Sequence, residues 1–379
     1  MQTGDVGPLE LLVIQPTPFC NIHCSYCYLP NRQSTRRMAR DTLERAFEWV
    51  FSSGLVRRPF TLLWHAGEPM VVPPSFYDDA AAILARYDST GDLVTQSFQT
   101  NATLITPEWC ELIRRHRIRV GVSVDGPAFL HDARRRTRSG QGTLARVLKG
   151  IRLLRDAEIH VHVITVLTAD SLSYPDELLD FYLENGLDDI AFNVEEIEGP
   201  NKTSSLQGIE MQERFRRFLD RFLDLALHMD PPLRVREFEC PAASALGKRI
   251  GAGERVQESK PFAIVNVGCD GELSTYSPEL LGLSSPRHGG FALGNVATDS
   301  LPSVLASPRF QALDDEIARG VEMCRQQCRY FAFCGGGPPG NKFFENGTFA
   351  STETLFCRLH KQACFDVALD HLERSTVQA

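Results

Sequence analysis

Short apolar runs alternate with longer amphipathic segments from residue 9 to about residue 230. The apolar runs have the length of buried strands, and the predicted strands are Leu9–Gln15, Phe60–His65, Leu93–Thr100, Ile118–Val124, His160–Val166 and Asp189–Val194. The segments between them have helical periodicity, and the predicted helices are Asp41–Ser53, Pro74–Arg86, Pro107–Arg115, Thr143–Ala157, Ser171–Asn185 and Gln207–Met229. Strands that alternate with helices predict parallel pairing, because a parallel connection needs a crossover.

The number of these strand–helix units predicts the architecture. Six units fall short of the eight of a closed barrel, so we expect an α/β fold with a partial (β/α)6 barrel of the TIM type. Beyond Pro231 and Pro232 the alternation stops and glycine becomes frequent. We therefore predict a barrel domain over residues 1–235 and a smaller C-terminal domain over residues 236–379, which ends in a helix.

Three cysteines follow the first predicted strand, at the end of a barrel where catalytic groups usually lie. Cys20, Cys24 and Cys27 have the spacing C-x3-C-x2-C. Each thiolate could hold one iron of a [4Fe–4S] cluster, which would leave the fourth iron without a protein ligand. The alternatives are a structural zinc site, although zinc ligands usually come as C-x2-C pairs, or three unrelated buried thiols.

A second group of cysteines lies in a glycine-rich stretch near the C-terminus. Cys324, Cys328, Cys334 and Cys357 supply four thiols, enough to ligate a [4Fe–4S] cluster completely. Such a cluster suits electron transfer or structural support, and a four-cysteine zinc site is the alternative. The other cysteines, Cys110, Cys240, Cys269 and Cys364, are expected to be small buried apolar residues.

Composition narrows the function classes. The chain has 379 residues with a formal net charge of −8, which argues against general nucleic-acid binding. It has no apolar run long enough to span a membrane. Residues 1–8 lack the basic and apolar regions of a signal peptide, so we expect a cytoplasmic protein without a membrane or nucleic-acid partner.

The cysteine triad with an aromatic residue at Tyr26 resembles the signature of radical SAM enzymes. In that superfamily S-adenosylmethionine binds the open iron, and its one-electron reduction releases a 5′-deoxyadenosyl radical. The segment Ala66-Gly67-Glu68-Pro69 resembles the G-G-E-P motif that binds the cofactor's ammonium, with alanine in place of the first glycine. Alanine is a mild departure that is tolerable if φ stays negative at this position, because only glycine adopts positive φ at no cost.

Further cofactor contacts are implied by the similarity to the peptide-modifying radical SAM enzymes. Their cofactor-binding serine, asparagine and arginine match Ser123, Asn101 and Arg135 by position, with Arg134 and Arg136 as neighbouring alternatives for the arginine. An arginine suits the cofactor's carboxylate because its planar fork donates two parallel hydrogen bonds. Asp125 is a further candidate or a turn residue, and Glu195 or Glu196 could meet the adenosyl group or substrate. The cofactor-binding set is thus Tyr26, Ala66, Gly67, Glu68, Asn101, Ser123, Asp125 and Arg135.

The second cysteine group resembles the SPASM extension of radical SAM peptide maturases, which carries two auxiliary clusters. One of these clusters normally takes a cysteine shortly after an Asp-Gly turn, and here Tyr276 stands at that place after Asp270-Gly271. The resemblance therefore implies one auxiliary [4Fe–4S] cluster, held by Cys324, Cys328, Cys334 and Cys357.

The segment from Cys328 to Arg358 resembles more narrowly the cyclophane-forming maturases of glycine-rich-repeat ribosomal peptides. This resemblance implies a carbon–carbon bond between an aromatic ring and a side-chain Cβ of a precursor peptide, with the auxiliary cluster as a possible electron acceptor. It also implies a one-electron donor such as flavodoxin or ferredoxin. Because the first predicted strand begins at Leu9, we expect no N-terminal winged-helix module for the leader peptide.

Two other enzymes and one non-enzyme remain as alternatives. Thioether-forming, sactipeptide-type maturases share the same architecture but consume cysteine thiols of the peptide. Anaerobic sulfatase-type maturases, which generate formylglycine, carry a catalytic aspartate where this chain has Ser277. A non-catalytic cluster-binding protein is the last alternative, and it would not cleave S-adenosylmethionine.

Overall fold

One ten-stranded sheet organises the computed structural model, which describes residues 6–239 and 255–378, with side chains to residue 374. The strands in chain order are β1 (Leu11–Ile14), β3 (Phe60–Trp64), β4 (Val94–Thr100), β5 (Arg119–Ser123), β7 (Val161–Leu167), β8 (Asp189–Val194), β9 (Arg234–Val235), β10 (Ile264–Val267), β11 (Glu272–Thr275) and β14 (Gly294–Asn295). Their spatial order is β14-β11-β10-β1-β3-β4-β5-β7-β8-β9. Pairing is parallel from β10 to β9, and β11 and β14 are antiparallel additions.

All six predicted barrel strands are confirmed as β1, β3, β4, β5, β7 and β8, within two residues at each end. They are consecutive and parallel, as the alternation with helices predicts. A mostly parallel α/β core is therefore present, as predicted. Because the strands are parallel, their C-terminal ends lie at one edge, where the loops carrying the candidate residues begin.

The helices pack on the outside of this sheet. They are α1 (Arg40–Ser52), α2 (Pro74–Leu84), α3 (Pro107–Arg115), α4 (Ala128–Arg134), α5 (Leu144–Asp156), α6 (Pro175–Glu184), α7 (Ile209–Leu227), α8 (Leu301–Leu305), α9 (Pro308–Gln327), α10 (Phe331–Cys334), α11 (Pro339–Asn346) and α12 (Cys364–Gln378). The predicted helix over 171–185 is split, because Pro175 starts α6 after a 3₁₀ turn at Ser171–Ser173. None of the described helices is long and apolar enough to cross a membrane.

The core between the sheet and α2–α3 is aromatic. Tyr77 lies at its centre, with its ring 4.8 Å from that of Phe98 and 5.2 Å from that of Trp64, both in edge-to-face contact. These rings are at most 1% exposed. Such pairs add roughly 0.5–1.5 kcal/mol each beyond the area that they bury. This packing fixes the ends of β3 and β4, from which two candidate loops emerge.

The C-terminal segment continues the barrel sheet, which the sequence did not predict. β10 pairs in parallel with β1 over four residues, from Leu11 with Ile264 to Ile14 with Val267. β11 and β14 then extend the sheet beyond β10. Residues of the C-terminal segment are thereby brought beside the loop that follows β1. The domain boundary near residue 235 stays a prediction.

Candidate functional site

The cysteine triad lies in a loop that is held against the barrel mouth. Within this loop β2 (Ile22–Cys24) pairs with β6 (Arg135–Thr137) in an antiparallel ribbon that places Cys24 opposite Arg135. Cys20, Cys24 and Cys27 line one cavity of about 350 Å³, together with residues from the C-terminal ends of β3, β4, β5, β7 and β8. This volume is within the usual range of small-molecule sites.

The buried state of these thiols fits a cationic ligand. Burial raises the pKa of Cys20 to about 12 and that of Cys24 to about 11, so the thiolates need positive charge nearby to form. Cluster irons supply such charge. Among the described residues no three His, Cys, Asp or Glu side chains are close enough to hold a single metal ion. A four-iron cluster spans a wider space, and the common cavity provides it.

An ion pair buried beneath the triad organises the predicted cofactor contacts. Arg135 donates from Nε to Asp125 Oδ2 at 2.9 Å and from Nη2 to Asp125 Oδ1 at 3.0 Å. Tyr26 donates its hydroxyl to Asp125, and the Arg135 guanidinium lies 5.4 Å from the Tyr26 ring centre. Burial is the largest influence on the pKa of Asp125 and would raise it, but the charge of Arg135 and the hydrogen bonds from Arg135 and Tyr26 act together with neighbouring His131 to lower it.

This ion pair changes the expected role of Arg135. The resemblance implied that the guanidinium of Arg135 donates two hydrogen bonds to the cofactor's carboxylate. In the structure its Nε and Nη2 donate to Asp125 instead. Its remaining nitrogen, Nη1, lies 4.0 Å from Cys24 Sγ. The physical reason is burial, because a guanidinium that is 6% exposed needs a carboxylate partner from the protein. Arg136 is exposed and Arg134 pairs with Asp170 at 2.8 Å, so neither reaches this position.

The turn after β3 departs from expectation at one backbone angle. Ala66 has a φ of +66°, so the negative φ that would make alanine easy to accommodate here is not adopted. Its carbonyl accepts a hydrogen bond from Gln15 Nε2 at 2.7 Å, which holds alanine in a conformation that costs about 1–2 kcal/mol. At Gly67, with φ +129°, a Cβ would lie 2.2 Å from the Thr17 carbonyl oxygen. Only glycine fits there.

Glu68 links the ends of two strands. Its carboxylate accepts hydrogen bonds from Met70 N at 3.0 Å, Thr100 Oγ1 at 2.7 Å and Asn101 N at 2.8 Å. Burial raises its pKa to about 7, although these bonds favour the charged form. Glu68 therefore shapes the cavity wall at β3 and β4, and it lines the same cavity as the triad.

Asn101 and Ser123 also line this cavity. Asn101 donates to Asn21 Oδ1 at 2.9 Å and approaches Cys20 Sγ at 3.8 Å, so it contacts the triad loop directly. Ser123 accepts from Gln99 Nε2 at 2.9 Å. The structure thus brings the triad, Tyr26, Gly67, Glu68, Asn101, Ser123 and Arg135 to one cavity, with Ala66 and Asp125 directly behind it.

The four C-terminal cysteines line a second cavity of about 380 Å³. Cys324 lies in the last turn of α9, and Cys334 is the last residue of α10. Cys357 is the first residue of a π-helical turn (Cys357–Ala363) that continues into α12. The ammonium of Lys342 is 4% exposed and lies 3.4 Å from Cys324 Sγ. A buried cation suits a site where several thiolates gather, so this donor set fits a cluster.

Tyr276 fills the place where the resemblance expects a further cluster ligand. Its side chain is fully buried, and its hydroxyl donates to Asp314 Oδ1 at 2.8 Å. Arg255 pairs with the same oxygen at 2.8 Å. Of the remaining cysteines, Cys110 and Cys364 are buried and contact backbone carbonyls, Cys269 lines a separate groove, and Cys240 lies outside the described residues.

We expect Tyr276→Phe to lower the melting temperature without changing the iron content. The substitution removes a hydrogen bond to a buried carboxylate, which is worth about 1.5–3 kcal/mol. Thermal unfolding of anaerobically purified protein measures this effect. Tyr87→Phe, at an exposed ring, is the matched control and should leave the melting temperature unchanged. Loss of iron in Tyr276→Phe would contradict a purely structural role.

The first cavity holds a group of carboxyls, of which the sequence analysis had singled out only some. Asn341 Nδ2 donates to Glu196 Oε2 at 2.5 Å and to Glu198 Oε1 at 3.2 Å, and Glu279 lines the same cavity. Burial raises the pKa of all three carboxyls, that of Glu196 to about 7 and that of Glu279 to about 8. Glu195, the other predicted candidate, accepts from Ser205 N at 2.6 Å.

His65 and Tyr28 complete this wall of the cavity, and the sequence had not singled them out. The Tyr28 hydroxyl lies 3.0 Å from His65 Nε2. Burial lowers the pKa of His65 to about 4, so its imidazole is neutral at pH 7. The only sequence signal for His65 is its position directly after β3.

Comparison with known proteins matches residues 14–182 to the model of the radical SAM superfamily. The chain is 43% identical over 376 residues, 97% of its length, to the uncharacterised protein sll1766 of Synechocystis, of which it covers 93%. It is 26% identical over 358 residues to a serine-type anaerobic sulfatase-maturating enzyme of Bacteroides thetaiotaomicron, with 89% of this chain and 84% of that enzyme covered.

Two solved structures have a similar fold. The structure of anSMEcpe with bound AdoMet superimposes with a TM-score of 0.78 at 19% identity, covering 97% of this chain and 99% of that one. The structure of SuiB from Streptococcus suis bound to its precursor peptide SuiA has a TM-score of 0.62 at 18% identity, covering 92% of this chain and 76% of that one. At these identities the likeness concerns the fold.

Proposed function

This chain belongs to the radical SAM superfamily, as an enzyme of the kind that modifies peptides or proteins, and we propose that it forms a carbon–carbon crosslink in a ribosomally made precursor peptide. The bond would join an aromatic ring carbon to the Cβ of a nearby residue. When bound, the [4Fe–4S] cluster and S-adenosylmethionine together supply a radical able to remove hydrogen from an unactivated carbon.

The two cysteine groups would hold the cofactors. Cys20, Cys24 and Cys27 would bind the cluster that meets S-adenosylmethionine, and Gly67, Asn101 and Ser123, which line the same cavity, would contact S-adenosylmethionine. Cys324, Cys328, Cys334 and Cys357 would hold one auxiliary cluster. The protein's own share is to position the peptide and exclude water around the reacting carbon.

A peptide substrate is supported by the related structures. SuiB has been solved with its precursor peptide SuiA, and anSMEcpe with the peptide Cp18Cys. In this chain the loop after β1 and the C-terminal segment lie side by side, because β1 pairs with β10. A groove of about 690 Å³ between them is lined by Leu29, Asn31, Gly268 and Asp270, and Leu29 also lines the triad's cavity. The groove offers a path for a peptide toward the triad.

The residues after β11 bear on which reaction the enzyme catalyses. Tyr276 donates its hydroxyl to Asp314, and Ser277 is 4% exposed, so neither of these two residues offers a cluster ligand or a carboxylate. Carboxyls face the cavity from other positions: Glu196 and Glu198 follow β8, and Glu279 lies two residues beyond Ser277. This relocation of the acidic groups is the observation that favours a crosslink over formylglycine formation.

These carboxyls can accept the proton that a crosslink must release. When a carbon radical of the peptide adds to an aromatic ring, the ring regains aromaticity by losing one proton and one electron. A carboxylate with a pKa near neutrality is a suitable base for the proton, and Glu279 is one of the cavity carboxyls whose pKa burial raises. The Cys324 cavity is where the chain would hold an acceptor for the electron.

We expect Glu279→Gln to slow crosslinking by about 10–100-fold while cleavage of S-adenosylmethionine continues, since a general base typically contributes about 10²–10⁴-fold. In the parent enzyme the crosslinking rate should rise with pH through about 8. The raised pKa keeps Glu279 protonated below that pH, and only its carboxylate can take a proton. Rates of crosslinked peptide and 5′-deoxyadenosine formation between pH 6 and 9 measure both effects.

Glu48→Gln is the matched control, because Glu48 is exposed on α1 and lines neither the triad's cavity nor the groove proposed for the peptide. It should keep the pH profile of the parent enzyme. An unchanged crosslinking rate in Glu279→Gln would remove Glu279 from the mechanism.

Formylglycine formation is the second candidate, because the sulfatase-maturating enzyme of Bacteroides is similar over most of both chains. Thioether formation is the third. Mass alone does not separate them, because a crosslink, a thioether and the oxidation of serine each remove two hydrogens. The test is anaerobic reaction with the precursor peptide encoded beside this protein, followed by tandem mass spectrometry, thiol alkylation and an aldehyde-reactive hydrazide.

The proposal expects the peptide to lack fragment ions inside a ring that includes an aromatic residue, with every cysteine alkylated and no hydrazide adduct. A hydrazide adduct would establish formylglycine instead. Blocked cysteines would establish a thioether.

A further inference from the structure

The ribbon of β2 and β6 forms an exposed cover over the cysteine triad. His23 lies opposite Arg136 in this ribbon, and both side chains are exposed. Arg138, just after β6, is exposed as well, and Arg32 of the same loop is half-buried beside it. These four residues, His23, Arg32, Arg136 and Arg138, are called the basic face below. His23 and Arg32 also line the groove proposed for the peptide, whereas Arg136 and Arg138 lie outside it.

The arginines of the basic face reach the backbone of the triad. Arg138 Nε donates to the Cys20 carbonyl at 2.9 Å, and Arg32 Nη1 donates to the Cys24 carbonyl at 3.2 Å. A molecule that touches these guanidinium groups is therefore one side-chain layer away from two of the three cysteines. The rest of the triad's cavity is enclosed by the barrel strands.

The positive charge of this face is not neutralised within the described part of the chain. Arg136 donates to the Asp132 carbonyl at 2.9 Å, and neither it nor Arg32 or Arg138 forms an ion pair with a described carboxylate. At the edges, by contrast, Arg134 pairs with Asp170 and Arg36 pairs with Asp270. The chain as a whole carries a formal charge of −8. A negatively charged protein is thus repelled by most of the surface and attracted here.

We propose that the basic face docks a small acidic protein that delivers single electrons to the site of Cys20, Cys24 and Cys27. Radical SAM enzymes need one electron for each cleavage of the sulfonium. The carrier loses that electron and the cluster gains it, and no atom is transferred. The basic face combines uncompensated charge with direct contact to the triad's backbone, which a docking surface for such a carrier requires. This inference depends on membership of the superfamily and not on the product of the reaction.

A second exposed group of arginines provides the control. Arg114 in the last turn of α3 and Arg119 at the start of β5 are exposed and line a groove at the opposite end of the barrel from the triad. Reversing both charges changes the net charge of the protein by twice as much as Arg136→Glu, so the double variant is the stricter test for an effect of overall charge. It should not affect electron delivery, because the triad lies beyond the length of the strands.

The test compares two reductants in the complete enzyme. 5′-Deoxyadenosine formation is measured with limiting reduced flavodoxin of net negative charge and, separately, with dithionite. We expect Arg136→Glu to lower the flavodoxin-supported rate at least about fivefold at low salt, because reversing a charge at a docking rim mainly slows association. Raising the salt from about 0.02 M to about 0.2 M should lower the flavodoxin-supported rate of the parent and narrow the difference between the parent and Arg136→Glu. Arg136→Lys should keep most of the rate.

Binding gives a readout that is independent of turnover. Titration of oxidised flavodoxin, followed by its flavin fluorescence, should show weaker binding for Arg136→Glu and parent-like binding for Arg114→Glu/Arg119→Glu. With dithionite, both variants should match the parent. The proposal is overturned if Arg136→Glu binds flavodoxin and is reduced by it like the parent, or if the control double variant is impaired equally. A loss of the dithionite-supported rate in Arg136→Glu would also overturn it, because Arg136 would then act on the site itself.

Discussion

Cys24→Ala should abolish cleavage of S-adenosylmethionine and remove about four irons per chain, the content of one [4Fe–4S] cluster. Cys24 is buried opposite Arg135 at the centre of the triad's loop, and no other described cysteine lines this cavity besides Cys20 and Cys27. In Cys24→Ala the cluster would keep only two thiolate ligands, and no other described cysteine could supply the third. Anaerobic iron analysis and assay of 5′-deoxyadenosine measure both losses.

Cys110→Ala is the matched control for this variant. Cys110 is buried in α3, and its thiol contacts the Leu153 carbonyl at 3.5 Å, away from both cysteine cavities. We expect it to keep its iron and its activity. A Cys357→Ala variant should lose iron from the second cavity and still cleave S-adenosylmethionine. Full iron content and turnover in Cys24→Ala would contradict the assignment of the triad.

Arg135→Met should destabilise the protein by about 3–5 kcal/mol, the usual cost of removing one partner from a buried ion pair. Asp125 is 2% exposed, and Arg135 supplies two of its hydrogen bonds. Without the guanidinium, burial raises the pKa of Asp125, and the charge opposite Cys24 disappears. Thermal unfolding under anaerobic conditions should show a melting temperature lower by several degrees, with partial loss of iron.

The double variant Arg135→Met/Asp125→Asn separates the two effects. It removes the isolated buried carboxylate, so it should recover part of the stability lost in Arg135→Met. It should not recover the iron lost with the positive charge near Cys24 Sγ. Equal stability of the single and double variants would show that the ion pair is not the source of the destabilisation.

Most strands of the barrel were predictable because they are short runs rich in apolar and β-branched residues, although β4 is largely polar. In β7 buried positions alternate with partly buried ones, and helical segments separate the strands in the sequence. The triad was predictable because its three ligands lie within eight residues, so their spacing is visible without the fold. Local patterns of this kind survive in the sequence alone.

Features that depend on distant contacts were not predictable. Ala66 adopts a positive φ because Gln15, from a different strand, holds its carbonyl. The fork of Arg135 is taken by Asp125, which became clear only once both were found buried. The carboxyls around Asn341 come from segments that are far apart in the chain, and no spacing in the sequence reveals that they lie together.

The central claim is that the site held by Cys20, Cys24 and Cys27 has an iron open to S-adenosylmethionine. Electron paramagnetic resonance of the dithionite-reduced enzyme, recorded with and without S-adenosylmethionine, tests it most directly. We expect S-adenosylmethionine to shift the signal of one cluster, and the shifting signal to be absent from Cys24→Ala but present in Cys357→Ala. A spectrum that does not respond to S-adenosylmethionine, or one that responds equally in Cys24→Ala, would contradict the claim.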